Sequence, residues 1–200
     1  MRAQHSRGVT LVELIVTLAI LSLLLMVAAP NVSAWMRNTQ IRNVATSILT
    51  GVQRARAEAI RRNAPMRFSL VSLSDSAVMD GSCRVSEAGV SWVVSQDNPD
   101  GLCGVAVSET TAPRIVDKHA SGSGGKWVKV TGNQVDGQDA DTLIFNGFGR
   151  SVGPEPISWI DIDNDTPGPD YRALRIMVGA GGTVRMCEPG VTSASDPRRC

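Results

Sequence analysis

Residues 11–29 form a nineteen-residue run with one charge, Glu13, and only Thr17 and Ser22 as further polar side chains. Such a run cannot stay in water, and it dictates what the rest of the chain can be. As a helix it would extend about 28 Å, roughly the hydrocarbon thickness of a bilayer. Arg2 and Arg7 precede it without an acid. A basic flank of this kind predicts a cytoplasmic N-terminus and export of the remainder of the chain. A cleaved secretory signal is the competing reading, because Ala28-Ala29 could supply a small-residue cleavage site. Glu13 argues against it. A carboxylate inside an apolar helix is costly, and a discarded signal has no use for that cost.

Beyond Pro30 the periodicity changes. Ile41, Val44, Ile48, Val52, Ala55 and Ala59 recur every three or four residues. That spacing marks one face of an amphipathic helix, with Arg54, Arg56, Arg61 and Arg62 largely off the stripe as a solvated face. Arg54 and Glu58 are four apart and can pair. The helix is predicted over 10–62, disturbed or kinked at Pro30, which lacks a backbone donor and marks the end of the apolar run. Asn63-Ala64-Pro65 ends it. From 66 onward, short apolar stretches between Gly, Asp, Asn, Pro and Ser predict strands at 66–73, 89–95, 104–108, 126–131, 142–146, 157–162, 172–178 and 183–187. The glycine-rich segment 120–125 reads as a flexible loop. The fold expected is α+β: a long N-terminal helix, transmembrane in its first half and amphipathic in its second, packed on one mainly antiparallel sheet.

The segment Arg7-Gly8-Val9-Thr10-Leu11-Val12-Glu13-Leu14 resembles the class III signal of type IV pilins and type II secretion pseudopilins. The resemblance implies a leader over 1–8, cleaved between Gly8 and Val9 by a dedicated peptidase that then methylates the Val9 amine. Phe is usual where Val9 stands. It also implies that Glu13 meets the N-terminal amine of a neighbouring subunit during assembly, and that Pro30 lies where such helices kink. Ala55-Arg56-Ala57-Glu58-Ala59-Ile60-Arg61-Arg62-Asn63, the segment 143–150 and the stretch 175–187 are similar to the FimT/GspH group of minor pilins and pseudopilins. The implied organisation is leader 1–8, transmembrane and assembly helix 9–30, amphipathic helix 31–63 and a β-rich periplasmic head 64–200. The implied place is the bacterial inner membrane, crossed once, and then a filament. The implied partners are other pilins or pseudopilins and the prepilin peptidase/N-methyltransferase. Type IV pilus assembly is the first expectation, and a minor pseudopilin of type II secretion is the alternative.

Four cysteines, Cys83, Cys103, Cys187 and Cys200, all lie in the segment expected to be exported, where disulfides persist. They allow three pairings. The preferred one joins Cys83 to Cys103 and Cys187 to Cys200, each closing a local loop, and the second loop resembles the closed tail of many type IV pilins. Zinc is disfavoured by the absence of C-x2-C spacings. Asp161, Asp163 and Asp165 have the opening spacing of a calcium loop, but Thr166 and Arg172 stand where an EF-hand needs Gly and Glu. An EF-hand is therefore excluded, and an irregular calcium site is the weaker alternative to an acidic turn. No other cofactor is expected. DNA binding through Arg185 is the third reading. Gly182-Thr183-Val184-Arg185 resembles the Gly-Arg-x-Arg motif of some FimT-like minor pilins, with one arginine missing. A net charge of +1 and two histidines, His5 and His119, exclude a bulk polyanion binder and leave no nucleophile–base pair. An enzyme is not expected.

Overall fold

The computed structural model describes the backbone of residues 10–200, and side chains throughout that span except at 25 and 27–31. Two compact units divide the chain, Met1–Met36 and Arg37–Cys200. One helix, α1 (Leu11–Arg62), carries the sequence of both. Pro30 lies inside the span of α1.

Within the first unit, α1 carries Glu13, Thr17 and Ser22 among otherwise apolar described side chains at 11–24. Leu11, Leu14, Leu18, Leu21 and Leu24 are each half or more exposed. The transmembrane first half expected from the sequence, and the single-pass inner-membrane placement built on it, are both overturned. Among the described residues, no helix is long and apolar enough to cross a membrane.

The second unit begins with the amphipathic stretch of α1. Ile41, Ala45, Ile48, Val52, Ala55 and Ala59 are fully buried and Val44 nearly so, which is the stripe the spacing predicts. The helix ends at Arg62 because Asn63 takes φ 48°, a left-handed conformation suited to Asn. Ten strands come after it: β1 (Met66–Ser72), β2 (Arg84–Val85), β3 (Ser91–Ser95), β4 (Ile115–His119), β5 (Val128–Asn133), β6 (Thr142–Phe145), β7 (Ser151–Val152), β8 (Trp159–Asn164), β9 (Leu174–Val178) and β10 (Val184–Cys187). They form two sheets where one was expected. The first runs β4-β3-β1-β6-β7 with β2 also on β1; the second runs β10-β9-β8-β5. Every strand pairing is antiparallel.

The stripe on α1 shares one core with both sheets. Phe68, Leu70, Trp92, Leu143 and Phe145 come from the first sheet, and Val130, Ile160, Ile162 and Ile176 from the second. Alternation is clean in β5, β8 and β9, each buried on one face only. In contrast, β3 is buried at all five positions. The cause is a second, smaller core of Val71, Val93, Ile115 and the Cys83–Cys103 pair, to which Leu73 and Val105 add. The segments on either side of β3, around Met79–Cys83 and Cys103–Val105, fold back over the outer face of the first sheet. Lys118 Nζ donates to the carbonyls of Cys103 (2.6 Å) and Val105 (2.9 Å) and holds that overlay down. Residues 104–108, expected as a strand, lie in turns and coil, and 122–125 forms a short 3-10 turn.

Gly51 sets how closely α1 approaches the first sheet. A Cβ there would lie 2.7 Å from the Trp92 ring and 2.9 Å from Phe68. Trp92 cannot easily yield, because its Nε1 donates to Ser47 Oγ at 3.0 Å. Alanine would gain up to about 1 kcal/mol of helix propensity and lose about 1–3 kcal/mol to overpacking. Gly51→Ala is expected to lower the urea midpoint of unfolding; an unchanged or higher midpoint would show that the rings move aside.

Candidate functional site

At the start of α1, the backbone N of Glu13 donates to Thr10 Oγ1 at 3.2 Å. Thr10-x-x-Glu13 thus has the sequence of a capping box, and the carboxylate lies in the first turn, at the positive end of the helix dipole. No ion pair reaches Glu13 among the described residues. The hydroxyls of Thr17 and Ser22 donate to the carbonyls of Leu14 (2.9 Å) and Leu18 (2.8 Å). The polar groups of the run are therefore satisfied within the helix, which presents an apolar surface plus one carboxylate. A helix apolar all round is stable only when buried by something else. Gly8 and Val9, the expected cleavage and methylation positions, lie outside the described residues.

Both cysteine pairs are local. Cys83 is bonded to Cys103, and Cys187 to Cys200. The second bond draws the polar tail against β10, where Glu188 N donates to the Arg198 carbonyl at 2.7 Å. Arg185 is committed to this tail: its guanidinium donates to the carbonyl oxygens of Arg199 (3.3 Å) and Cys200 (3.0 Å). Arg198 pairs with Asp196 (2.7 Å) and Glu188 (3.5 Å). Arg185, the residue expected to touch DNA, is thus engaged by the chain's own carbonyl groups.

The acidic segment is not gathered into a metal site. Asp161 takes both ends of the Arg175 guanidinium, at 2.6 and 3.0 Å, and accepts from Trp159 Nε1. Asp163 accepts from the backbone N of Asn164, and Asp165 from that of Thr166 while facing Arg37 at 3.8 Å. Among the described residues, no three His, Cys, Asp or Glu side chains are placed to hold a metal. This donor set does not fit calcium.

A feature that sequence reasoning only touched is the charge cluster at the end of α1. Glu58 is nearly fully buried, and Arg54 (3.3 Å), Arg61 (2.7 Å) and Arg62 (3.0 Å) converge on it. Arg62 also reaches Glu109 at 2.9 Å, tying the overlay to the helix. Spacings of three and four residues put Arg61 and Arg62 beside Glu58, so the signal was present in the sequence. Burial opposes ionisation of Glu58, but the hydrogen bonds from Arg61 and Arg62 and the charges of Arg61 and Arg54 outweigh it and hold the carboxyl below its ordinary range. A depressed folded-state pKa contributes stability above the unfolded value, near 4.3, and that contribution is lost as pH falls through the folded value. Stability is therefore expected to fall between pH 5 and 3, with a shallower slope in Glu58→Gln. Equal slopes for the two proteins in pH-dependent urea unfolding would contradict this.

No reaction centre appears among the described residues. His119 stacks on Trp92, ring centroids 5.8 Å apart. Both thiol pairs are oxidised.

The described residues thus combine an apolar helical segment with a β head clamped by two disulfides. The family model for the type II transport protein GspH matches residues 44–182, and a model of the prokaryotic N-terminal methylation motif matches 4–29. The chain belongs to the GspH family of pilin-like and pseudopilin-like subunits, which are structural and not catalytic. No curated protein matches it. It is similar to two solved structures of the type IV minor pilin FimU of Pseudomonas aeruginosa (strain PAO1). One is 15% identical, over 80% of this chain and 99% of that one, with a TM-score of 0.45. The other is 14% identical, over 76% and 99%, with a TM-score of 0.42.

Proposed function

We propose that this chain is a minor pseudopilin of a type II secretion system. The observation that carries the reading is the GspH match across 44–182, most of the head and the helix end on which it packs. It favours the secretion filament over the type IV pilus that was the first expectation. In this reading the leader 1–8 is removed at Gly8–Val9 by the prepilin peptidase, which methylates Val9; the methylation-motif match over 4–29 supports that step. The apolar segment of α1 is then buried against the helices of neighbouring subunits. Glu13, the one charge of that segment, meets the N-terminal amine of a neighbour, since an unpaired carboxylate in such a setting is costly. The head helps to start or cap the filament.

The test is deletion of the gene in the parent bacterium, with complementation. Secreted proteins should accumulate inside the cells while pilus-driven surface motility continues, and the intact mass of the mature chain should correspond to N-methyl-Val9. Loss of motility with normal secretion would overturn the reading in favour of the pilus.

A further inference from the structure

A groove at the head end of α1 is built by two segments that are distant in sequence. Gln53, Arg56, Ala57 and Ile60 of the helix and Val184 of β10 enclose an open volume of about 220 Å³. The turn between β6 and β7 sits against the same helix residues. Arg56 Nε donates to the Gly149 carbonyl at 3.1 Å, and a Cβ on Gly149 would lie 2.7 Å from Ile60 Cδ1. At the tip of this turn Phe148 is 81% exposed, and Ile60, which packs under Gly149, is 49% exposed.

The turn is rigid. Asn146 Oδ1 accepts from the backbone N of both Phe148 (3.0 Å) and Arg150 (3.1 Å). Asn146 N donates to the Arg150 carbonyl at 3.0 Å, and Gly149 N to the Asn146 carbonyl at 2.8 Å. The Phe148 backbone is therefore fixed before any partner arrives, which lowers the ordering cost of binding. An exposed aromatic side chain on a fixed backbone, with an arginine beside it, is a usual composition of an interface hot spot.

Charge selects the occupant. The lining contains no carboxylate. The two terminal nitrogens of Arg56 have no partner among the described residues, since only Nε is engaged by Gly149. Arg150, the next residue along the turn, is exposed and makes no ion pair among the described residues. The acids of this helix end lie elsewhere, in the Glu58 cluster. We infer that this groove docks a segment of another protein that offers one apolar side chain to Ile60 and Phe148 and one or more carboxylates to Arg56 and Arg150. Nucleic acid fits less well: one lining cation, with Arg185 spent on the tail, is too little for a phosphate track.

The experiment places a photo-crosslinking phenylalanine derivative at position 148 of the full chain in the parent bacterium. A second carrier has it at Val135, another exposed hairpin position, 84% exposed. Illumination should give one dominant protein adduct at 148 and not at 135, mapped to a peptide with at least one carboxylate beside an apolar residue. Arg150→Glu, whose side chain makes no described contact, should cut the adduct about tenfold, as should Arg56→Glu. A thermal melt of Arg150→Glu matching the unsubstituted protein makes that loss a binding effect. No adduct above the Val135 control, an adduct to DNA or lipid, a mapped peptide without carboxylates, or an adduct indifferent to both arginine substitutions would each overturn the inference. The readout is independent of the secretion phenotype, so this docking site and the proposed function can fail separately.

Discussion

Replacing Gly182 by alanine is expected to destabilise the protein by about 2–4 kcal/mol. Gly182 has φ +81°, where an L side chain is strained, and a Cβ there would run into the Gly149 carbonyl and approach Arg56 Nε. The obstacle is backbone already engaged by Arg56, so it cannot rotate away as a side chain would. The turn between β6 and β7 would part from the turn between β9 and β10, and Ala180, whose carbonyl accepts from Ser151 N at 3.3 Å, would separate with it. Gly181 is the internal control: nothing lies within 4 Å of a Cβ built there. Gly181→Ala should change stability by less than about 0.5 kcal/mol. Urea unfolding followed by tryptophan fluorescence compares the two. Similar midpoints for both variants would show that the close approach of the turns contributes nothing.

The second large effect concerns the overlay on the first sheet. Cys83 and Cys103 are 20 residues apart in sequence, and closing a loop of that length constrains the unfolded chain by about 3 kcal/mol. In the double variant Cys83→Ala/Cys103→Ala that constraint disappears, and Val71, Val93 and Ile115 lose the sulfur atoms packed against them. The overlay should open before the rest. Limited proteolysis is expected to cut first within 74–83 and 98–112, the segments on either side of β3, while β5, β8 and β9 stay protected. Simultaneous loss of all regions would mean that the two cores unfold as one unit.

The second half of α1 was legible because a stripe at spacings of three and four suits a helix and no strand, and because Asn63-Ala64-Pro65 cannot continue a helix. The strands that alternate or run apolar, such as β1, β3, β8 and β9, were legible by their own period of two or their continuous apolar run. Ile115–His119 was not: Asp117 and Lys118 interrupt its apolar pattern, and β4 is held at the sheet edge by pairing with β3. The opposite error fell on 104–108, whose Val105 packs into the small core from a turn, with no strand partner. Periodicity identifies strands and says nothing about partners, so two sheets could not be told from one. At the candidate surfaces, Arg185 was visible by type, but its commitment to the carbonyls of Arg199 and Cys200 depends on the tail being folded back. The groove draws on residues 53–60 and 184, which no local pattern joins, with the turn at 146–150 held next to it by the Arg56–Gly149 hydrogen bond.

The double burial of β3 has a consequence for how such a chain can change. The overlay segments on either side of β3, 74–83 and 98–112, rest on that small core, apart from the residues that face the stripe on α1, among them Trp92 and Val94 of β3. Lengthening them costs little, since each doubling of a loop adds only about 0.6 kcal/mol of closure entropy. Sequences within 74–83 and 98–112, on either side of β3, can therefore be exchanged, extended or trimmed while the helix–sheet packing stays as it is. What the head shows to its surroundings can diverge from one chain to the next, and the helix that carries it can remain interchangeable.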